Sequence, residues 1–381
     1  MTSLDNIQAN TKYLGDPSKA DWVSSGTPLQ SPDKDSVILT LSEDGESSSG
    51  TLLASTTYVW YGKITAQLKT SRGQGVVSAF ILLGDNKDEI DFEFVGTDLQ
   101  TAQSNFYFQG ITDYMNSKNL SVSGDDTFSD YHTYEIDWKP DQITWAVDGT
   151  TQRTLKKSDT MNKTDNQYHY PQTPSRVQLS LWPAGSSKNG KGTVDWSGGL
   201  INWSQQDPQQ NGYYYAMFKE VDIECYDPPS EAKKSGDKSY VWTNTNAMES
   251  DVSITDNDTV LKSLLGSGED MDKDYPNPSG TKSGSPQQTS EVATIPGLTG
   301  AGPGTDGSRG GDSGSGGSGG DSGGSQTSGG SGATSTGIGG FSQGDSGSGS
   351  SGTKSDAVKV ERVVAGSMFA ALMAFIGMMI L

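Results

Sequence analysis

The residues with the clearest chemical purpose lie in one short run, Asp88-Glu89-Ile90-Asp91-Phe92-Glu93-Phe94-Val95-Gly96. Side chains alternate across an extended strand, so Ile90, Phe92 and Phe94 share one face while Glu89, Asp91 and Glu93 share the other. One face is core and the other is wholly acidic. Neighbouring carboxylates repel, so such a row needs good solvation, a bound cation or a chemical use. A wet outer face is one reading, and a calcium site is another, because hard cations take several oxygen ligands. Glycoside cleavage with retention is the third. It needs one carboxylate as nucleophile and one protonated carboxyl as acid, about 5 Å apart. The Cα atoms of Glu89 and Glu93 are about 13 Å apart on an extended strand, so their side chains must lean together across a concave sheet. Asp91 between them would orient the nucleophile and oppose ionisation of the acid, pushing the two glutamate pKa values apart.

Sugar rings present C–H faces that stack on aromatic rings, with their hydroxyls read by amides and charged groups. On a strand from Arg176 to Trp182, the residues Arg176, Gln178, Ser180 and Trp182 fall on one face and Val177, Leu179 and Leu181 on the other. The polar face with its terminal Trp182 suits a cleft floor, the alternative for Trp182 being core. Trp196, beside the loop 184–192, is a second platform candidate with the same alternative. Trp138 and Trp145 share faces with Ile136, Ile143 and Val147 and are assigned to the core.

The elements that must hold these side chains are strands. Between Asp21 and Pro229 the runs are short and rich in Val, Ile, Thr, Tyr, Trp and Phe, for example Val37–Leu41, Val59–Thr70, Gly75–Leu83, Glu89–Val95, Tyr134–Trp138, Ile143–Val147 and Val177–Trp182. Lys139-Pro140-Asp141-Gln142 reads as a hairpin loop. No segment keeps a helical period over three turns. An all-β sandwich of two curved antiparallel sheets follows, with the catalytic-type residues on one of them.

Composition limits the alternatives. With 27 Lys+Arg against 47 Asp+Glu the net charge is −20, which excludes a nucleic-acid binder that works by neutralising phosphates. His132, His169 and Cys225 are the only His and Cys residues, too few for a Cys/His zinc site, so no metal and no cofactor is expected. Residues 1–229 are assigned to the sandwich and 230–300 to a polar extension. In residues 301–353 the run 301–350 holds 21 Gly and 13 Ser, which cannot build a core and reads as a disordered, flexible stalk.

Residues 354–381 close the chain with a polar spacer, Lys354–Arg362, and an uncharged stretch from Val363 to Leu381. With the small residues Ser350, Ser351, Gly352 and Thr353 upstream, this is the pattern of a glycosylphosphatidylinositol attachment signal, and Ser351 is the expected lipid attachment residue. The alternative is a tail-anchored transmembrane helix. A lipid anchor of that kind requires entry to the secretory pathway, yet Met1–Asn10 has no basic and apolar leader, so the natural N-terminus is expected to lie elsewhere. The odd Cys225 is expected to have lost a partner. Sequons at Asn119, Asn162, Asn202 and Asn257 are the expected glycosylation sites.

The run Asp88-Glu89-Ile90-Asp91-Phe92-Glu93 resembles the signature of glycoside hydrolase family sixteen. The segments Gln103–Tyr107, Tyr131–Trp138, Ala146–Gly149, Pro171–Trp182 and Gly192–Gly199 resemble the fungal Crh-type enzymes of that family, in order and across most of Asp21–Pro229. The resemblance implies a concanavalin-like β-jelly roll with its carbohydrate cleft on the concave sheet. It implies Glu89 as nucleophile, Glu93 as acid/base and Asp91 as the assisting carboxylate, with Asn105 and Phe106 on a cleft strand. It further implies a lipid-anchored cell-wall transglycosylase that moves chitin onto β-glucan, and the chain is expected to be monomeric. A hydrolytic β-glucanase on the same fold and a non-catalytic carbohydrate-binding wall protein are the rival expectations.

Overall fold

The structure is a computed structural model that describes residues 3–264 apart from 14, 46, 112, 245, 258 and 259. The expected stalk, the terminal tail and Ser351 lie outside the described residues. In chain order the strands are β1 (Ile7–Ala9), β2 (Trp22–Ser25), β3 (Pro28–Gln30), β4 (Val37–Asp44), β5 (Ser47–Ser49), β6 (Thr51–Val59), β7 (Gly62–Lys69), β8 (Val77–Gly84), β9 (Glu89–Val95), β10 (Thr101–Tyr107) and β11 (Lys118–Ser121). They continue as β12 (His132–Trp138), β13 (Gln142–Val147), β14 (Thr150–Lys156), β15 (Met161–Asn162), β16 (Gln167–Tyr168), β17 (Ser175–Trp182), β18 (Tyr214–Cys225), β19 (Lys233–Lys234), β20 (Ser239–Trp242) and β21 (Val252–Thr255). The two main sheets run β1-β2-β6-β17-β8-β9-β10-β11 and β14-β13-β12-β7-β18-β4-β3. Non-consecutive neighbours such as β6-β17-β8 are what a jelly roll requires, and the all-β sandwich expected from the turn spacing is the fold observed.

Alternation along each strand sorts the side chains into an inner layer and an outer face. Phe80, Leu82, Ile90, Phe92, Phe94, Val177 and Leu179 point inward against Tyr134, Ile136, Trp138, Ile143 and Trp145 of the opposing sheet, all buried in one core. Phe92 and Phe94 meet the Tyr134 ring edge-on at 5.4 and 4.6 Å, so the apolar half of β9 is locked onto β12. Burial of each such ring contributes about 1.5–3 kcal/mol. Trp145 adds a polar tether, its Nε1 donating to the Asp91 carbonyl at 3.1 Å. Trp138 and Trp145 are thus core residues, as the alternation implied. The 139–141 connection closes a hairpin in which Trp138 faces Ile143 and the Lys139 amide donates to the Gln142 carbonyl at 2.8 Å.

The folded body does not stop at Pro229. Strands β19, β21 and β20 form a small sheet, and Trp242, Ala247, Val252 and Ile254 enter the main core. Leu264 is buried with Tyr13, Ala20, Val23, Leu52 and Ala54. Its amide donates to Asn10 Oδ1 at 2.6 Å. The first part of the expected polar extension, up to Leu264, thus carries a small sheet and buried apolar residues. Its few apolar residues sit on two short strands and two loops, too sparse to raise the local composition yet sufficient to seal against the main body. Among the described residues no helix is long and apolar enough to cross a membrane.

Candidate active site

Asp88 starts the acidic strand. It is fully buried, its Oδ1 accepts the Gln109 amide at 3.0 Å, and its Oδ2 accepts the Gln172 amide and the Thr173 hydroxyl, both at 2.8 Å. One carboxylate thereby ties together three segments at the entrance of β9. From there the register across β17, β8, β9 and β10 generates rows on the outer face. The first row is Arg176, Leu83, Glu89 and Tyr107. The second is Gln178, Ile81, Asp91 and Asn105, and the third is Ser180, Ala79, Glu93 and Gln103. Trp182 and Val77 continue into a fourth.

This face is not wet. Glu89 is 9% exposed and Asp91 1%, while Glu93 is half-buried. The expectation of a solvated outer face for the acidic row is thereby set aside. Burial, then the charges of Asp91 and Glu93, push the Glu89 pKa well above the usual carboxylate range. Burial, then the charge of Asp91, does the same to Glu93. Burial lifts Asp91 to about 7 even though the Arg153 cation, and then a backbone hydrogen bond from Asn105, oppose the rise. The charge of each acid raises the pKa of its neighbours in the row, so ionisation of one opposes ionisation of the next. Glu93 is the more accessible of the two glutamates.

Five buried polar atoms on this same face have no partner within the protein: Asp91 Oδ1, Asn105 Oδ1, Gln178 Oε1, Ser180 Oγ and Trp182 Nε1. Buried polar groups are ordinarily paired, so their concentration on one sheet face leaves hydrogen-bonding capacity there for water or a polar ligand. Trp182 stacks on Trp196 with centroids 6.0 Å apart. Trp196 Nε1 donates to Gln103 Oε1 at 2.9 Å. An indole pair therefore borders the third row. Among the described residues no three His, Cys, Asp or Glu side chains converge as a cation cage.

Two of the expected contact residues are placed otherwise. Phe106 pairs with Ile90 and lies in the core, because the register that turns Asn105 and Tyr107 outward turns Phe106 inward. Arg176 occupies the first row, but its guanidinium is buried as a brace, Nε donating to the Ser55 carbonyl at 2.6 Å and Nη1 to the Leu264 carbonyl at 3.4 Å. Tyr107 and Gln103 were not singled out, although the alternation that selects Asn105 selects them too. Arg153 was also missed. It reaches in from β14, donating from Nη1 to Ser104 O at 2.7 Å and from Nη2 to Asn116 O at 2.7 Å, with its Cζ 4.3 Å from the Trp145 ring centre. Nothing in its local sequence separates it from other arginines. Asn119, Asn202 and Asn257 are exposed and Asn162 is half-buried. Cys225 is exposed and carries no disulfide among the described residues.

Residues 16–198 match the profile of the glycosyl hydrolases family 16. The chain is 56% identical over 271 residues to Crh-like protein 2 of Aspergillus fumigatus, covering 71% of this chain and 60% of that protein. Against Congo red hypersensitive protein 2 of Saccharomyces cerevisiae the identity is 50% over 266 residues, covering 70% and 56%. It thus spans about 60% of the length of the curated relatives it matches. Among solved structures, the apo Crh5 transglycosylase shares the fold with a TM-score of 0.52 at 29% identity, over 61% of this chain and 87% of that one. The Crh5 transglycosylase in complex with NAG gives the same TM-score over 61% and 88%. The acidic row, its sheet and these likenesses lead to one assignment: the chain carries a glycosyl hydrolase family 16 domain.

Proposed function

We propose that this chain is a retaining glycosidase that acts chiefly as a transglycosylase, cleaving β-linked N-acetylglucosamine chains of chitin and passing them to β-glucan at the fungal cell wall. The observation that carries this reading is the coincidence, on one sheet face, of three carboxylates with raised pKa values, Glu89 and Asp91 buried and Glu93 half-buried, and five unpartnered polar atoms. Support for the sugar and for transfer comes from the likeness to a Crh5 transglycosylase in complex with NAG and to Crh-like proteins.

In the first displacement the Glu89 carboxylate forms a bond to the anomeric carbon as the glycosidic C–O bond breaks, and Glu93 gives its proton to the departing oxygen. The sugar is left as an ester on Glu89. In the second, Glu93, now ionised, takes the proton of the incoming hydroxyl while its oxygen attacks the same carbon and frees Glu89. Asp91 keeps the Glu89 oxygen oriented and its charge favours the protonated form of Glu93. Asn105, Gln178, Ser180 and the Trp182–Trp196 pair would hold the sugar rings. A glucan hydroxyl in the second step gives a cross-link and water gives hydrolysis. The Gly/Ser-rich stretch 301–353 would act as a stalk, and residues 354–381 with Ser351 as a lipid-attachment signal, keeping the enzyme at the surface as a monomer.

The test is an incubation of the full chain with chitin oligomers and a fluorescent β-glucan oligosaccharide. Labelled products longer than the acceptor are expected. Shortened chitin oligomers with no labelled growth would leave a hydrolase, and no change in either saccharide would remove the enzymatic reading.

A further inference from the structure

A second apolar cluster lies on the outer face of the sheet that carries the carboxylates. Register sets Ala54 beside Gln178, Leu52 beside Ser180, and Val23 beside Ala54, so these side chains continue the second and third rows beyond β17. They are buried in one cluster with Tyr13, Ala20 and Leu264. Tyr13 ends a short helix, α1 (Asn10–Tyr13), and Leu264 belongs to the segment 260–264. The two pieces are fastened to each other and to the sheet. Asn10 Oδ1 accepts the Leu264 amide at 2.6 Å, and Arg176 Nη1 donates to the Leu264 carbonyl at 3.4 Å. Gly15 packs so closely on this segment that a Cβ there would come within 2.8 Å of Lys262 Cγ.

The unpartnered polar atoms show the direction in which a ligand would run. Asn105 Oδ1, Asp91 Oδ1 and Gln178 Oε1 fall in one row, which crosses the strands. Past Gln178 the same row reaches Ala54, and there it is buried in the cluster that Leu264 and Tyr13 complete. Strand β6 is three strands from β9, about 14 Å at the spacing of paired strands. The first row ends beside the same segment. Tyr58, next to Arg176, donates to Asp85 Oδ1 at 2.8 Å, and both line a cavity of about 410 Å³ together with Trp242, Val260 and Leu261. Residues 260–264 therefore bound the outer face on its β6 side in all three rows.

We propose that the segment 260–264, together with Tyr13, is an end wall of the groove. It limits how many rings of a β-linked chain lie on the β6 side of the bond that is cut, and so sets the length of the fragment on that side. Val23, Leu52, Ala54 and Leu264 have no side-chain hydrogen-bonding group, so this cluster ends the polar floor and does not prolong it. An extended saccharide lying along the second row would have to pass through the Leu264 and Tyr13 side chains. Both residues are far from the bond-making atoms and act on specificity alone. The inference rests on the glycan-processing function proposed above and deepens it, adding a length limit on one side of the cut.

The experiment gives the full chain a series of chitin oligomers of increasing length, labelled at one end, and reads the fragment lengths by mass spectrometry. In the parent, fragments from one side of the cut should reach a ceiling that stays constant as the substrate lengthens, while those from the other side keep growing. Tyr13→Ala combined with Leu264→Ala removes the side chains of the wall and leaves the carboxylate rows untouched. It should raise that ceiling by one ring or more, with the rate unchanged on oligomers short enough to lie inside it. Leu264→Met, which keeps the volume, should keep the parent ceiling. A ceiling unmoved in the folded double variant overturns the proposal. Parent fragments that lengthen on both sides also overturn it, a result that needs no variant to fold. If the parent cleaves no oligomer of any length, the glycan-processing function itself fails, and that outcome is distinct from cleavage without a ceiling.

Discussion

Glu89→Gln is expected to lower turnover of chitin oligomers by about 10⁴-fold, equivalent to about 5.4 kcal/mol in the barrier, while the fold is kept. An amide cannot form the glycosyl ester, and its size matches the carboxyl it replaces. The same substitution carries a second, independent signature. Because the Glu89 pKa is raised in the folded state, chiefly by burial and then by Asp91 and Glu93, the folded protein holds that proton more tightly than the unfolded chain. The linked stability is fully present below the ordinary carboxylate pKa and is lost as pH rises toward the raised value. Glu89→Gln removes that loss, so the variant should melt higher than the parent at pH 8 and show little advantage at pH 4. Thermal unfolding at the two pH values checks this, and a variant less stable than the parent at pH 8 would contradict a buried, raised Glu89.

Arg153→Met is expected to move the acidic limb of the pH–activity profile to higher pH and to cost about 2–4 kcal/mol of stability through the carbonyls left unpaired at Ser104 and Asn116. The groups that act on Asp91 through their charge, or on which its charge acts, are Glu89 and Glu93 on its own strand, Tyr107 on β10 and Arg153 on β14. Arg153 is the one cation among them. Burial pushes its own pKa down to about 10, the charge of Asp91 working the other way. Without it, the first ionisation of the carboxylate cluster becomes harder, and the nucleophile is released only at higher pH. Arg153→Lys separates the two effects. It keeps the charge and so most of the pH profile, but loses the planar fork that spans two carbonyls. A pH profile unmoved in Arg153→Met would assign this residue to loop anchoring alone.

The parts of this site that obey period-two alternation were legible before any coordinates. Glu89, Asp91 and Glu93 fall together because Ile90, Phe92 and Phe94 must go inward, and Gln178 and Trp182 follow from Val177, Leu179 and Leu181. The same rule was not carried through on β10. Applied from Asn105, it yields Gln103 and Tyr107 and rejects Phe106. Arg176 illustrates a different limit. Its face was predicted correctly, but a long cation on a buried face takes whatever carbonyl lies near, and Leu264 comes from 88 residues away. The packing of residues 232–264 was hidden for the same reason, since a strand that completes another body's core needs few apolar residues of its own.

The central claim is that Glu89 makes a covalent bond to sugar. In Glu93→Gln the acid/base is lost, so a chitin oligoside with a nitrophenyl leaving group, which departs without a proton, should still glycosylate the enzyme while release by water or acceptor stalls. Acid quench, proteolysis and fragment mass spectrometry of the peptide that begins at Asp88 read the outcome. The account predicts one glycosyl adduct, carried by the Glu89 side chain. An adduct on any other residue, or nitrophenol release with no adduct at all, would contradict it.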